Sequence, residues 1–150
     1  MQKALWIIIF CVFSSGAYAK EDTGIAQARA FFDKYLSLWK QYEPAVADLY
    51  ADDAIIRQRH IQKNGDIKEN DIFVTKYKET IAKLMPENKK QGGNVYHEGI
   101  KVVREGDAYR ITATVYSDRQ KTKRPFSMLV LQDAAGKWQI KEEIKTYKFD

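Results

Sequence analysis

Apolar residues recur at helical spacing early in the chain and at alternate positions in its last third. From Ile25 to Tyr42 the apolar positions step by three and four residues, which predicts a helix with one buried face. Pro44 opens a second, short helix, because proline fits the first helical turn. A third helix is predicted with Asn70 as its N-cap and Pro86 just past its end.

Strands are predicted where β-branched residues and turn signals alternate. The segment Ala54 to Gln62 is followed by Asn64-Gly65, a strong signal for a tight hairpin. After a polar loop from Glu87 to Gly93, the period of two predicts strands near residues 94–104, 107–118, 125–132 and 137–148. Short connections between successive strands favour antiparallel pairing. We therefore expect an α+β fold, in which three N-terminal helices pack on a curved antiparallel sheet.

The beginning of the chain differs from the rest. Lys3 precedes an apolar run from Ala4 to Phe13, and Ala17-Tyr18-Ala19 supplies small residues that suit a signal peptidase. The run is about half of the roughly 20 apolar residues that span a bilayer, so a cleaved secretory signal over residues 1–19 is predicted rather than a membrane anchor. Residues 20–150 would then form one domain, periplasmic or secreted, without a cysteine or a stable membrane insertion.

Charge and composition exclude several classes of function. The formal net charge of +5 is spread along the chain, and an exported protein rarely meets nucleic acid, so no nucleic-acid partner is expected. Two histidines without useful spacing argue against a metal site, and no cofactor-binding motif is found. The basic segment from Arg119 to Arg124 is predicted to be a solvated hairpin loop. The alternative is that it forms an anion-attracting rim with Lys89 and Lys90.

The motifs LYADDAII, at the exit from the second helix, and GKWQIKEE, opening the last strand, resemble the NTF2-like (cystatin-like cone) superfamily. This superfamily includes the SnoaL-like and ketosteroid-isomerase-like domains, and the resemblance covers essentially all of residues 20–150. It implies a cone with a pocket between the first helix and the concave sheet, and a homodimer through the exposed sheet face. Because the superfamily includes isomerases, dehydratases, hydrolases and binding proteins, it implies a fold more than a reaction.

Two acids that the isomerase-like members use are missing. Gln58 matches the position of their aspartate base, and an amide cannot accept a proton at neutral pH. Ser127 matches the position of a second, protonated acid, which a hydroxyl does not replace. Tyr35 lies near the position of a tyrosine that hydrogen-bonds the substrate oxygen. These departures argue against that proton-shuttle chemistry.

Two other side chains remain as acid or base candidates. Alternation along the first strand puts Gln58 and His60 inward and two arginines outward, and His60 is the better base because imidazole titrates near neutral pH. A structural role at the strand end is its alternative, and His97 is predicted to be structural or exposed. Glu142 is predicted inward because it is in phase with Trp138, Ile140 and Ile144, whereas Gln139, Lys141, Glu143 and Lys145 form the wet face. An inward carboxylate is either a general acid or the partner of a cation such as Arg110 or Arg57.

Three functions stay open at this stage. The leading hypothesis is an exported, non-catalytic domain that binds a small apolar molecule or a protein partner in its cone pocket or on its sheet face. The first alternative is an isomerase, dehydratase or hydrolase in which His60 or Glu142 is the acid or base and Tyr35 the oxyanion donor. The second is an envelope interaction module, such as a secretion-assembly part or an immunity protein. The predicted pocket contacts are Tyr35, Trp39, Gln58, His60, Ser127 and Glu142.

Overall fold

The computed structural model describes residues 22–119 and 121–148, so the predicted signal segment 1–19 lies outside the described residues. Within these described residues, two α-helices, one 3₁₀ helix and six strands follow one another, and the α+β class is confirmed. The second predicted helix, which Pro44 opens, is the short 3₁₀ helix. In chain order the elements are α1 (Thr23–Lys40), the 3₁₀ helix (Pro44–Leu49), β1 (Tyr50–Ile61), β2 (Ile67–Phe73), α2 (Val74–Gln91), β3 (Val95–Glu105), β4 (Ala108–Ser117), β5 (Thr122–Gln132) and β6 (Trp138–Lys148).

All six strands belong to one curved sheet in the order β2-β1-β6-β5-β4-β3. Strands that follow one another in sequence pair antiparallel where they are neighbours, as their short connections predict. The exception is β1 with β6, which are far apart in sequence and pair parallel. This pairing brings the two ends of the domain together at the centre of the sheet.

Helix α1 packs its buried face against the inner side of the sheet. Asp22 caps the helix by accepting a hydrogen bond from the backbone N–H of Gly24 at 3.0 Å. Phe32 is fully buried and lies 5.8 Å from Phe126 of β5, measured between ring centroids. Tyr35, one turn further along, is also buried, so the predicted apolar face of this helix is confirmed.

Helix α2 starts later and ends later than the sequence predicts. Asn70 is not its N-cap but lies in β2 opposite Gln58, because β2 extends its pairing with β1 as far as Phe73. Pro86 lies inside the helix, which continues to Gln91 and ends at Gly92 with a φ of 65°. The predicted loop over residues 87–93 is thus mostly helical. Two lysines in the last turn favour this extension, since cations stabilise the negative end of the helix dipole.

The predicted alternation of inward and outward side chains along β6 is wrong in the second half of the strand. Val130 of β5 pairs with Ile140, but its neighbour Leu129 pairs with Glu142, so Lys141 is an extra residue in a β-bulge. A bulge shifts the alternation of side chains by one position. Glu143 therefore points inward and is fully buried, whereas Glu142, which we predicted inward, lies on the outer face.

Candidate ligand-binding site

A large open cavity lies between α1 and the inner face of the sheet. Its volume is about 760 Å³, and its walls come from the end of α1, the turn after α2, and strands β3 to β6. Six aromatic side chains contribute to these walls. They are Tyr35, Trp39, Tyr42, Tyr96, Phe126 and Tyr147.

At the inner end of the cavity, a buried carboxylate is held by two tyrosines and a lysine. Tyr35 donates a hydrogen bond to Glu143 Oε1 at 3.1 Å, and Tyr50 donates to Glu143 Oε2. Lys145 Nζ lies 3.2 Å from Glu143 Oε1 and also donates to the hydroxyl of Tyr77. The five side chains come from α1, β1, α2 and β6, so this cluster joins four elements.

The protonation of this cluster follows from burial and charge. Burial, and then the Glu143 carboxylate, raise the pKa of both Tyr35 and Tyr50 well above 10.0, so both hydroxyls stay protonated and donate at neutral pH. Burial alone lowers the pKa of Lys145, but Glu143 and Tyr77 outweigh it, and the pKa is raised. Lys145 is therefore a cation at neutral pH.

Glu143 is poorly placed to act as a base on a molecule in the cavity. The whole residue is 0% exposed, and each of its oxygens already accepts a tyrosine hydroxyl. A general base must come within hydrogen-bond reach of the proton that it takes. In this arrangement Glu143 holds the inner wall of the cavity together, and both of its oxygens are already engaged by hydrogen bonds.

His97, on β3, faces the same cavity and packs edge-on against two aromatic rings. Its ring centroid lies 5.7 Å from that of Phe32 and 5.4 Å from that of Phe126. Burial lowers the pKa of His97 to about 4, with the cations Lys145 and Arg124 acting in the same direction and Glu143 opposing them. His97 is thus a neutral wall residue at pH 7.

The lowered pKa of His97 makes the stability of the fold depend on pH, and stability falls as the pH falls. Because the pKa of His97 is about 4 in the fold against 6.5 for an ordinary histidine, the unfolded chain takes up a proton first. We expect the free energy of unfolding to fall by about 1–2 kcal/mol more in the natural protein than in His97→Phe between pH 6.5 and 4. Urea denaturation at four pH values measures both slopes. Equal slopes would contradict the expectation.

Trp39 separates this cavity from a second one. The second cavity, of about 560 Å³, lies between α2 and the β1–β2 hairpin, and Trp39, Asn88, Lys145 and Tyr147 line both cavities. Lys145 Nζ lies 5.3 Å from the centroid of the Trp39 ring, a cation–π distance. The indole N–H of Trp39 is buried and has no acceptor among the described residues. We infer that Trp39 is held in the wall by its ring rather than by a hydrogen bond.

The predicted pocket residues that face inward are divided between three places. Tyr35 and Trp39 line the larger cavity, as predicted, while Gln58 lines the second and accepts a hydrogen bond from Asn70 at 3.4 Å. His60 lines neither cavity and stacks on Tyr147 with 5.3 Å between ring centroids. Whether any of them binds a ligand stays a prediction.

The other two predicted pocket residues lie on the opposite face of the sheet. Arg110 donates to Glu142 at 2.6 Å and to Ser127 at 3.4 Å, which confirms Arg110 as one of the two predicted partners of Glu142. Ser127 faces outward because its neighbours Phe126 and Met128 fill the core. The predicted placement of Ser127 and Glu142 in the pocket is wrong.

The groups that the sequence did not single out are Glu143, Lys145 and Tyr50. Sequence alternation put Glu143 and Lys145 on the wet face, and the bulge at Lys141 reverses that assignment.

The described residues were also searched for metal-binding groups and for membrane-spanning helices. No group of three or more His, Cys, Asp or Glu residues suited to a metal ion occurs within residues 22–119 and 121–148, and no helix there is long and apolar enough to cross a membrane.

Comparison with solved structures identifies the fold. An NTF2-like protein of unknown function from Pseudomonas putida KT2440 has a TM-score of 0.63 at 14% identity, over 85% of this chain and 89% of that one. A candidate ketosteroid isomerase from Shewanella frigidimarina has a TM-score of 0.57 at 14% identity, over 79% and 93%. A candidate dehydratase of the NTF2-like family from Streptomyces avermitilis has a TM-score of 0.57 at 10% identity, over 86% and 99%.

The chain therefore has the NTF2-like cone fold that the sequence resemblance implied. No protein-family model matches the sequence, and no curated protein is significantly similar to it. At identities of 10–14% the likeness extends to the fold and to nothing finer.

Proposed function

We propose that the protein binds a small, largely apolar molecule in the cavity between α1 and the sheet, and that it does not transform this molecule. The observation that carries the proposal is the cavity itself. An interaction module would have a nearly filled cone, whereas a ligand-binding cone has a cavity of roughly 300–1,000 Å³ with apolar walls and few polar groups. The cavity of about 760 Å³ with aromatic walls agrees with the second description.

The positions of the acid and base candidates support a non-catalytic role. His60 lines neither cavity, and Glu142 is paired with Arg110 on the outer face of the sheet. Glu143 is sealed by its partners, and the low pKa of His97 makes that imidazole a weak base at neutral pH. The predicted signal segment supports export, so the ligand would be met in the periplasm or outside the cell.

One observation favours an enzyme as a second candidate. Glu143 lies directly beside Tyr35, the tyrosine that the resemblance connects with a substrate oxygen, and a carboxylate and a phenol side by side are a known means of moving protons. For this candidate, Lys145 or Tyr50 would have to move away and expose Glu143. Turnover of a ligand identified below would favour it over simple binding.

Native mass spectrometry of the protein purified from its own host tests the proposal. We expect a bound small molecule that is released on denaturation. In Val115→Phe the closely packed wall on β4 has no room for the added ring, so the ring would extend into the cavity and narrow it. We expect this variant to retain about tenfold less of the small molecule. Thr114→Phe, the next residue on β4 but on the outer face, is the matched control and should retain the natural amount.

The two variants also separate the alternatives. Circular dichroism melts should show that both variants fold, so that a difference in retention reports on the cavity. Equal retention by Val115→Phe and Thr114→Phe would place the ligand elsewhere. A natural protein that carries a protein partner and no small molecule would overturn the proposal in favour of an interaction module.

A further inference from the structure

The mouth of the larger cavity carries positive charge that no lining acid balances. Lys40, Arg119 and Arg124 line the mouth, in addition to Lys145 further in. Among the described residues that line this cavity, Glu143 is the one carboxylate, and Lys145 pairs with it. Across residues 22–119 and 121–148, no ion pair is found for the three cations of the mouth.

Local packing holds these cations around the opening. Tyr42 donates a hydrogen bond to the carbonyl of Gly93 at 2.8 Å, which ties the end of α1 to the turn after α2. Gly93 has a φ of 106°, and a side chain there would come within 2.5 Å of Arg119 Cδ, so the Arg119 side chain lies across this bare backbone. The Arg124 guanidinium lies 5.0 Å from the centroid of the Tyr147 ring.

The wall chemistry changes from the mouth to the interior. Behind the cations, the wall consists of Trp39, Phe126, Tyr35 and a neutral His97, and it offers rings rather than net charge. A fully apolar ligand would leave the cations of the mouth unused, and a cationic ligand would be repelled by them on entry. A ligand with an apolar body and one anionic group complements both regions.

From this arrangement we propose that the ligand is an amphipathic anion, with its ring or chain among the aromatic residues and its acidic group at Lys40, Arg119 and Arg124. The inference rests on the proposed function and adds the chemical class of the ligand. It also gives the basic segment from Arg119 to Arg124 a role as part of an anion-attracting rim. The guanidinium groups would bind the acidic group through charge-assisted hydrogen bonds.

Isothermal titration with a pair of isosteric probes tests the charge preference. The probes are 2-naphthoate and its neutral counterpart 2-naphthamide, which share the same ring body. We expect 2-naphthoate to bind about tenfold more tightly at low salt, and this preference to shrink as salt screens the exposed cations.

Two triple variants with the same change in net charge locate the effect. Lys40→Gln/Arg119→Gln/Arg124→Gln should lose the preference for 2-naphthoate and keep its binding of 2-naphthamide. Lys34→Gln/Lys83→Gln/Lys101→Gln removes three exposed cations that do not line the cavity, and it should keep the preference. A loss of preference in both triple variants would reduce the effect to overall charge and overturn the inference.

The outcomes separate this inference from the proposed function. Equal binding of the two probes by the natural protein would overturn the anion preference and leave the cavity as a binding site. If neither probe binds and Val115→Phe retains as much small molecule as Thr114→Phe, both the inference and the proposed function fail. If the natural protein prefers 2-naphthoate and only Lys40→Gln/Arg119→Gln/Arg124→Gln loses this preference, both the proposed function and the anion preference are supported.

Discussion

Replacement of Glu143 by alanine is expected to lower the free energy of unfolding by about 3–5 kcal/mol. The substitution leaves the Lys145 ammonium without its carboxylate and the hydroxyls of Tyr35 and Tyr50 without their acceptors. Breaking a buried pair from one side costs far more than the pair contributes as a whole, because the remaining charge stays out of water. Urea denaturation followed by circular dichroism measures the change.

The adjacent residue provides a matched control for this prediction. Glu142→Ala also removes a carboxylate from β6, but its partner Arg110 is partly exposed on the outer face and keeps a second carboxylate, Glu105, at 3.3 Å. An exposed or partly exposed pair contributes about 1 kcal/mol or less. Equal losses for Glu142→Ala and Glu143→Ala would mean that the two residues are not on opposite faces, and it would contradict the bulge at Lys141.

That bulge also marks the limit of what the sequence could predict. Alternation along β1 was sufficient to place Ile56 inside and two arginines outside, where they pair with Asp71 and Glu69 of β2. The same rule fails in β6 because the extra residue is specified by pairing with β5, and no local signal near Lys141 announces it. Because this extra residue was not predicted, Glu142 was assigned to the pocket, whereas Glu143 is the residue that points inward.

The helix boundaries fail for a related reason. Pro86 is a strong local signal for a helix end, yet α2 continues for five residues beyond it. Proline in a helix interior removes one backbone hydrogen bond, a cost of about 3 kcal/mol that tertiary packing can offset. Met85, next to it, is fully buried, so packing of this turn against the core favours the continuation.

The candidate site was predictable only in the part that one helix supplies. Tyr35 and Trp39 lie one turn apart on α1, and helical spacing alone places both on the side that faces the sheet. The acceptor for Tyr35 is Glu143 of β6, 108 residues away in sequence, and Lys145 of the same strand joins the cluster through Glu143. Such a cluster exists only through the parallel pairing of β1 with β6, which sequence analysis did not predict.

Lys145 connects this buried cluster to the ligand-binding cavity, and its replacement by methionine should affect both. We expect Lys145→Met to lower the free energy of unfolding by about 2–3 kcal/mol, less than Glu143→Ala, because 24% of the lysine side chain is exposed. The raised pKa of Lys145 fixes the pH range of the effect: its stabilisation is complete below about 10.5 and is lost as the pH rises further. Denaturation at pH 7 and pH 11 should therefore show a smaller difference between the variant and the natural protein at the higher pH.

A double-mutant cycle shows whether the pair acts as a unit. If Glu143 and Lys145 are coupled, Glu143→Gln/Lys145→Met will be about 1–3 kcal/mol less destabilised than the sum of its two single variants. Ligand binding supplies a second measurement. Lys145 lies against the Trp39 ring in the wall between the two cavities, so loss of the lysine frees that ring. We expect Lys145→Met to weaken the binding of 2-naphthamide as well as that of 2-naphthoate. Additive stabilities together with unchanged binding of the neutral probe would show that Lys145 is only another cation near the cavity.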